Sequence, residues 1–141
     1  MKRAFDLLAA LLAGLVLLVP LAVLASGGGG GGGSAPSASG PMYDPAAEYQ
    51  KGLEAISNGK WKDAQRAFTN VTDAAPKAFE GWFMLGYAKA GGGDPKGARR
   101  AYERATKLKP EDIAARRELA INLARIGETE KARSELTLLQ G

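Results

Sequence analysis

The chain has 141 residues, room for one domain with appendages, and a formal net charge of +4. It contains neither cysteine nor histidine, which excludes disulfides, thiol nucleophiles, zinc sites with cysteine or histidine ligands, and histidine general bases. Beyond the first six residues 17 basic side chains stand against 14 acidic ones, a balance too even for the clustered basic face that nucleic acid requires. Composition divides the chain into a basic start with an apolar run (residues 1–25), a stretch rich in glycine, serine, alanine and proline (26–42), and a charged, alanine-rich part (43–141) that alone can build a core.

In the first part Lys2 and Arg3 precede Asp6, and residues 7–25 carry no charge. This pattern admits a secretory signal, with Pro20 breaking the apolar helix and cleavage after Ala25. It equally admits a retained anchor, since about 17–25 apolar residues cross a bilayer. Lys2 and Arg3 favour the cytoplasmic side, so both readings carry the remainder across, to the periplasm of a bacterium. A lipoprotein is excluded, because Gly27 stands where "LAS" would be followed by the lipid-bearing cysteine.

A further topology comes from resemblance. The opening "KRAFDLLAALL" with "VPLAVLA" resembles the first membrane helix of bacterial monotopic sugar-phosphate transferases, which bends at a proline and leaves the protein on the cytoplasmic face. Val19-Pro20 replaces that family's Ser-Pro, and none of its catalytic domain follows. The stretch "SGGGGGGGSAPSASGPM" cannot bury enough apolar surface to offset its ordering entropy, so it reads as a disordered tether spanning roughly 20–25 Å.

The third part repeats itself at an offset of 34 residues. Gly59, Gly93 and Gly127 coincide, as do Ala64, Ala98 and Ala132. Phe68, Tyr102 and Leu136 form another column, followed by Val71, Ala105 and Leu139. Pro76 matches Pro110, and Gly52 and Gly86 match Ala120. The expected elements are helix pairs, with Gly93 ending the first helix of the middle copy, Asp94 capping the second and Pro95 in its first turn. Asp44-Pro45 gives the same start signal at the head of the array. Gly86 and Ala98 are small so that the paired helices approach closely, with Tyr102 and Trp82 filling the space around the contact. The glycines of "GGGDPKG" are structural, since the segment lacks both the spacing and the preceding strand of a phosphate-binding loop.

These residues resemble the tetratricopeptide repeat, whose signature runs Trp-x2-Leu-Gly-x2-Tyr, Ala-x3-Phe, Pro. The middle copy carries Trp82, Leu85, Gly86, Ala98, Tyr102 and Pro110, with Lys89 at the tyrosine site. The first keeps Gly52, Ala64, Phe68 and Pro76, with Glu48 and Lys51 replacing Trp and Leu. The third keeps Leu119, Ala120 and Ala132, with Leu136 at the aromatic site and no closing proline. The resemblance implies an all-α, right-handed array of three helix pairs, with repeats at about 45–78, 79–112 and 113–141.

In that family the first helices of each pair line a concave groove that binds peptides. Carried over by repeat position, the groove would present Tyr49, Leu53, Phe83, Met84, Tyr87, Arg117, Ile121 and Arg125, suited to a peptide with an apolar anchor and an acidic end. The alternative for the apolar members, Leu53 and Ile121 above all, is packing between repeats. The lysines and asparagines of the family's two-carboxylate clamp are replaced by Tyr49, Leu53, Met84, Ala114 and Glu118, so capture of chaperone tails is not expected. Such arrays usually end in a polar capping helix. Here Leu136, Leu138 and Leu139 make the last helix apolar, and the expectation is docking against a second copy or a partner, the alternative being a frayed terminus or a truncated chain.

Catalysis needs titratable groups converging in a water-excluding pocket. Asp94, Glu103, Glu118 and Glu128 are instead dispersed as caps and surface charges, and no serine has a base in view. The expected function is therefore a non-enzymatic adaptor for a protein or peptide partner. It would need neither cofactor nor metal, would be membrane-associated or periplasmic, and would belong to an envelope assembly. The alternative is a cytoplasm-facing accessory to envelope polysaccharide synthesis.

Overall fold

The structure, a computed structural model, describes residues 43–141. The expected signal or anchor segment and the glycine-rich tether lie outside the described residues. Local chemistry sets the helix starts. The Asp44 carboxylate accepts from the Ala46 N–H at 3.1 Å, Asp94 from Gly97 at 2.9 Å and Asp112 from Ala115 at 2.8 Å, satisfying donors that a helix start leaves orphaned. Pro45 and Pro95 occupy first turns, where no backbone N–H is needed.

Among the described residues there are six helices and no strand: α1 (Pro45–Ser57), α2 (Trp61–Ala74), α3 (Phe79–Gly91), α4 (Pro95–Leu108), α5 (Ile113–Arg125) and α6 (Thr129–Gln140). The first helix of each pair ends in one and the same motif. Gly59, Gly93 and Gly127 have φ of 70°, 83° and 86°, a left-handed conformation that no other described residue adopts. After each, the next N–H reaches back to a carbonyl inside the helix: Lys60 to Ala55 at 2.8 Å, Asp94 to Lys89 at 2.8 Å, Glu128 to Leu123 at 2.9 Å. The period in the sequence is thus a period in backbone geometry, and the chain folds as a helical-repeat array of antiparallel pairs.

Two compact units divide at Pro76 and Lys77. In the first, α1 packs on α2. The ring of Phe68 lies against Gly52, where an added Cβ would stand 2.5 Å from Cζ, and Tyr49 meets the same ring edge-on at 5.5 Å. In the second unit α3 packs on α4, α4 on α5 and α5 on α6. Tyr102 is wholly buried against Gly86, with a hypothetical Cβ 2.9 Å from its ring. Its core continues through Ala98, Leu119, Leu123 and Ala132, with Phe83 and Ile126 packed on the edge.

One column of the repeat joins the paired helices by three different chemistries. In the first pair the buried carboxylate of Glu48 accepts from Asn70 Nδ2 at 2.9 Å and from Lys51 Nζ at 2.7 Å. These two hydrogen bonds, Lys51 first, hold its carboxyl below the usual range. In the second pair the corresponding residues are Trp82 and Arg104, and the guanidinium lies over the indole at 5.5 Å. In the third they are Arg116 and the exposed Leu138, which share no polar contact; Arg116 instead reaches Glu135 at 2.8 Å and the Pro110 carbonyl at 2.6 Å. The indole expected to fill the space around the close contact of the second pair is only half-buried, under Arg104.

Candidate functional site

In the second unit the buried Tyr102 connects α3 with α5: it meets Phe83 edge-on and feels Glu118, Tyr87 and Arg125. On α5, Arg117, Ile121 and Arg125 follow one another at four-residue spacing and form a row along the helix. Both arginines are exposed, and Ile121 is 38% exposed, which for a residue of its size leaves a usable apolar surface. On α3, Phe83 and Tyr87 are half-buried one turn apart. Phe83 is fixed between two rings, stacked on Phe79 at 5.6 Å and edge-on to Tyr102 at 5.6 Å.

The electrostatics show that these groups feel one another. Burial raises the carboxyl pKa of Glu118, against the opposing pull of Arg117 and Arg125. The Tyr87 hydroxyl is raised by burial and then by the charge of Glu118. Tyr102 is pushed far up, chiefly by burial, then by Glu118 and Tyr87, with Arg125 pulling the other way. Its hydroxyl has no hydrogen-bond partner among the described residues. Neither has the Oδ1 of the fully buried Asn122, whose Nδ2 donates to the Glu118 carbonyl at 2.8 Å. The region therefore combines an apolar floor, two exposed cations and one half-desolvated carboxylate. It can hold an extended chain by side-chain burial and by ion pairing at its edge.

Two of the residues expected in the groove are corrected. Tyr49 is 5% exposed, its ring turned onto Phe68, and Met84 is 2% exposed. Both pack as core, the alternative held open for them, and neither offers a surface to a ligand. Leu53 is half-buried in the first unit, on the same helix as Tyr49. Of the expected docking end, Leu136 is 45% and Leu138 61% exposed, whereas Leu139 is half-buried. Sequence reasoning treated Glu118 as a departure from the family's clamp and as a dispersed surface charge. Its place three residues before Ile121 and seven before Arg125 was the signal that it shares their side of the helix.

Two family models described as tetratricopeptide repeat match residues 49–94 and 79–122. A comparison with curated proteins gave no match. Among solved structures, MamA from Desulfovibrio magneticus RS-1 is 25% identical with a TM-score of 0.64, covering 67% of this chain and 54% of that one. A MamA RS-1 double mutant is 26% identical with a TM-score of 0.63, over 66% and 52%. A MamA point mutant, at 24% identity and a TM-score of 0.62 over 66% and 68%, shows the likeness of fold alone. The chain spans about half the length of the first two.

Proposed function

Because the chain belongs to the tetratricopeptide-repeat family and is a protein–protein interaction module, we propose that it is a non-enzymatic adaptor holding a peptide on the first helices of its second unit. The observation that carries this reading is the row Arg117–Ile121–Arg125, on the helix whose Glu118 acts on the Tyr87 hydroxyl of α3. An apolar side chain of the peptide rests against Ile121, Phe83 and Tyr87, and an acidic end pairs with the two arginines. Glu118, short of donors and partly desolvated, accepts from the N–H groups of the bound chain.

The setting we propose is the membrane, with residues 7–25 as anchor or cleaved signal, residues 26–42 as tether and the repeats held on the periplasmic side within an envelope assembly. The exposed Leu136 and Leu138 serve a second copy of the chain. Sedimentation should then show a self-associated species that Leu138→Lys converts to monomer; a monomer before the change removes this part of the reading.

The test of the groove is a panel of short peptides pairing an apolar residue with either an acidic or a basic end, titrated against the full chain. Acid-ended peptides should bind, and Arg117→Glu with Arg125→Glu should weaken their binding while helix content by circular dichroism is retained. Equal retention of both peptide classes, or binding indifferent to the two arginines, rejects the site.

A further inference from the structure

A second surface lies on other residues of the same unit. Between α3 and α4 runs a cleft of about 350 Å³. Its apolar floor comes from Trp82 and Leu85, and its walls carry Lys89, Arg100, Arg104 and Lys107. Trp82, Leu85 and Lys89 follow one another at three- and four-residue spacing, a different stripe of α3 from that of Phe83 and Tyr87. Glu103 is the one acidic residue of the lining, and Arg99, outside the cleft, pairs with it at 3.5 Å. Lys89 approaches Asp94 only to 4.0 Å. Among the described residues Arg100, Arg104 and Lys107 form no ion pair, and all three are exposed. The cleft therefore presents cations with no carboxylate of their own around an apolar floor.

We propose that this cleft binds an acidic polypeptide segment, separately from the groove of the first helices. The three cations of α4 stand at spacings of four and three residues, so they line one helix face over about 10 Å. An extended peptide rises about 3.3 Å per residue, so carboxylates at alternate positions fall about 6–7 Å apart, close to the rise from Arg100 to Arg104. The intervening side chains point the other way, and an apolar one among them reaches the Trp82 floor. Arg104, already over the indole, is pre-placed to fork onto a carboxylate. Duplex nucleic acid is the poorer fit, because several phosphates must be neutralised together over a broad face and this cleft is short and concave.

The test uses the full chain with Trp61→Phe, which leaves Trp82 as its fluorophore. The probe is a short peptide of alternating Glu and Gly with one central Leu, and the readout is the Trp82 emission shift on titration. The peptide should bind, with affinity falling as salt is raised. Arg100→Glu with Lys107→Glu should weaken it by about tenfold or more, and Lys62→Glu, an exposed cation of α2 outside the cleft, should leave it unchanged. Circular dichroism checks that the variants fold, and the exposed positions of Arg100 and Lys107 make loss of folding no ready explanation. The proposal is overturned if the peptide gives no shift, or if its affinity ignores Arg100 and Lys107. It is also overturned if sensitivity lies only at Arg117 and Arg125, or if phosphatidylglycerol vesicles or duplex DNA elicit the Trp82 response and the peptide does not.

Discussion

Replacing Gly86 by alanine should destabilise the protein even though alanine is the better helix former. The added Cβ would stand 2.9 Å from Cδ1 and Cε1 of Tyr102 and 3.0 Å from its Cγ, whereas carbon atoms rest at about 3.5–4.0 Å. Tyr102 is wholly buried, so the ring cannot swing away and α4 must move instead. Overpacking of this kind costs about 1–3 kcal/mol, and the helix-propensity gain of about 1 kcal/mol offsets only part of it. A net loss of up to about 2 kcal/mol is expected. In a Tyr102→Leu background the obstructing ring is gone, and the same Gly86→Ala change should become neutral or stabilising by up to about 1 kcal/mol. The third repeat already uses that combination, with Ala120 opposite Leu136 in the corresponding columns. The coupling between the two positions is then about 1–3 kcal/mol, above what independent sites show. Urea titration of the four chains of the cycle, followed by far-ultraviolet circular dichroism, measures it. A stabilising Gly86→Ala in the presence of Tyr102, or a coupling near zero, would refute the close approach of α3 and α4.

Removing the Tyr102 hydroxyl by Tyr102→Phe should leave stability unchanged or raise it by about 1 kcal/mol, because the buried group has no partner among the described residues and Phe68 fills the same column in the first repeat; thermal melting checks this. Glu48 and Glu118 should titrate in opposite senses. The carboxyl of Glu48 is depressed, so its contribution is present above the ordinary carboxylate value and disappears as pH falls through its lowered one; Glu48→Gln should be less stable at neutral pH, with the difference closing in acid. The carboxyl of Glu118 is raised, so its charge costs stability at neutral pH and the cost is relieved as pH falls through its raised value; Glu118→Gln should be more stable at neutral pH, again converging in acid. Urea midpoints as a function of pH distinguish the two. Asp112→Ala should cost about 1 kcal/mol by removing the cap of α5, read from the same denaturation curves.

What could be read in advance was the part of the fold that constrains single residue types. A left-handed turn and an aromatic ring against bare backbone both demand glycine, and both recur every 34 residues, so Gly59, Gly93 and Gly127 marked the turns while Gly52 and Gly86 marked the contacts. The caps Asp44 and Asp94 were visible for the same reason. The groove was less legible because α3 carries apolar residues almost all round its circumference, and periodicity then fails to say which stripe faces a neighbour. Phe83 and Met84 are adjacent in sequence and looked alike, yet one keeps an exposed edge and the other is core. The Glu48–Asn70 bond and the Arg104–Trp82 stack join residues 22 apart, and only a comparison of columns across the repeats brings them together.

The adaptor reading meets its most direct test in a photoreactive residue placed at Ile121 of the full chain in the cells that produce it, with a second at Lys62 on α2 for comparison. Irradiation should join the Ile121 position to one polypeptide, through a segment in which an apolar residue precedes acidic ones, and the adduct should vanish when Arg117→Glu and Arg125→Glu are present. Adducts of equal yield and identity from both positions, or a yield from Ile121 that ignores the two arginines, would contradict a peptide held on the first helices.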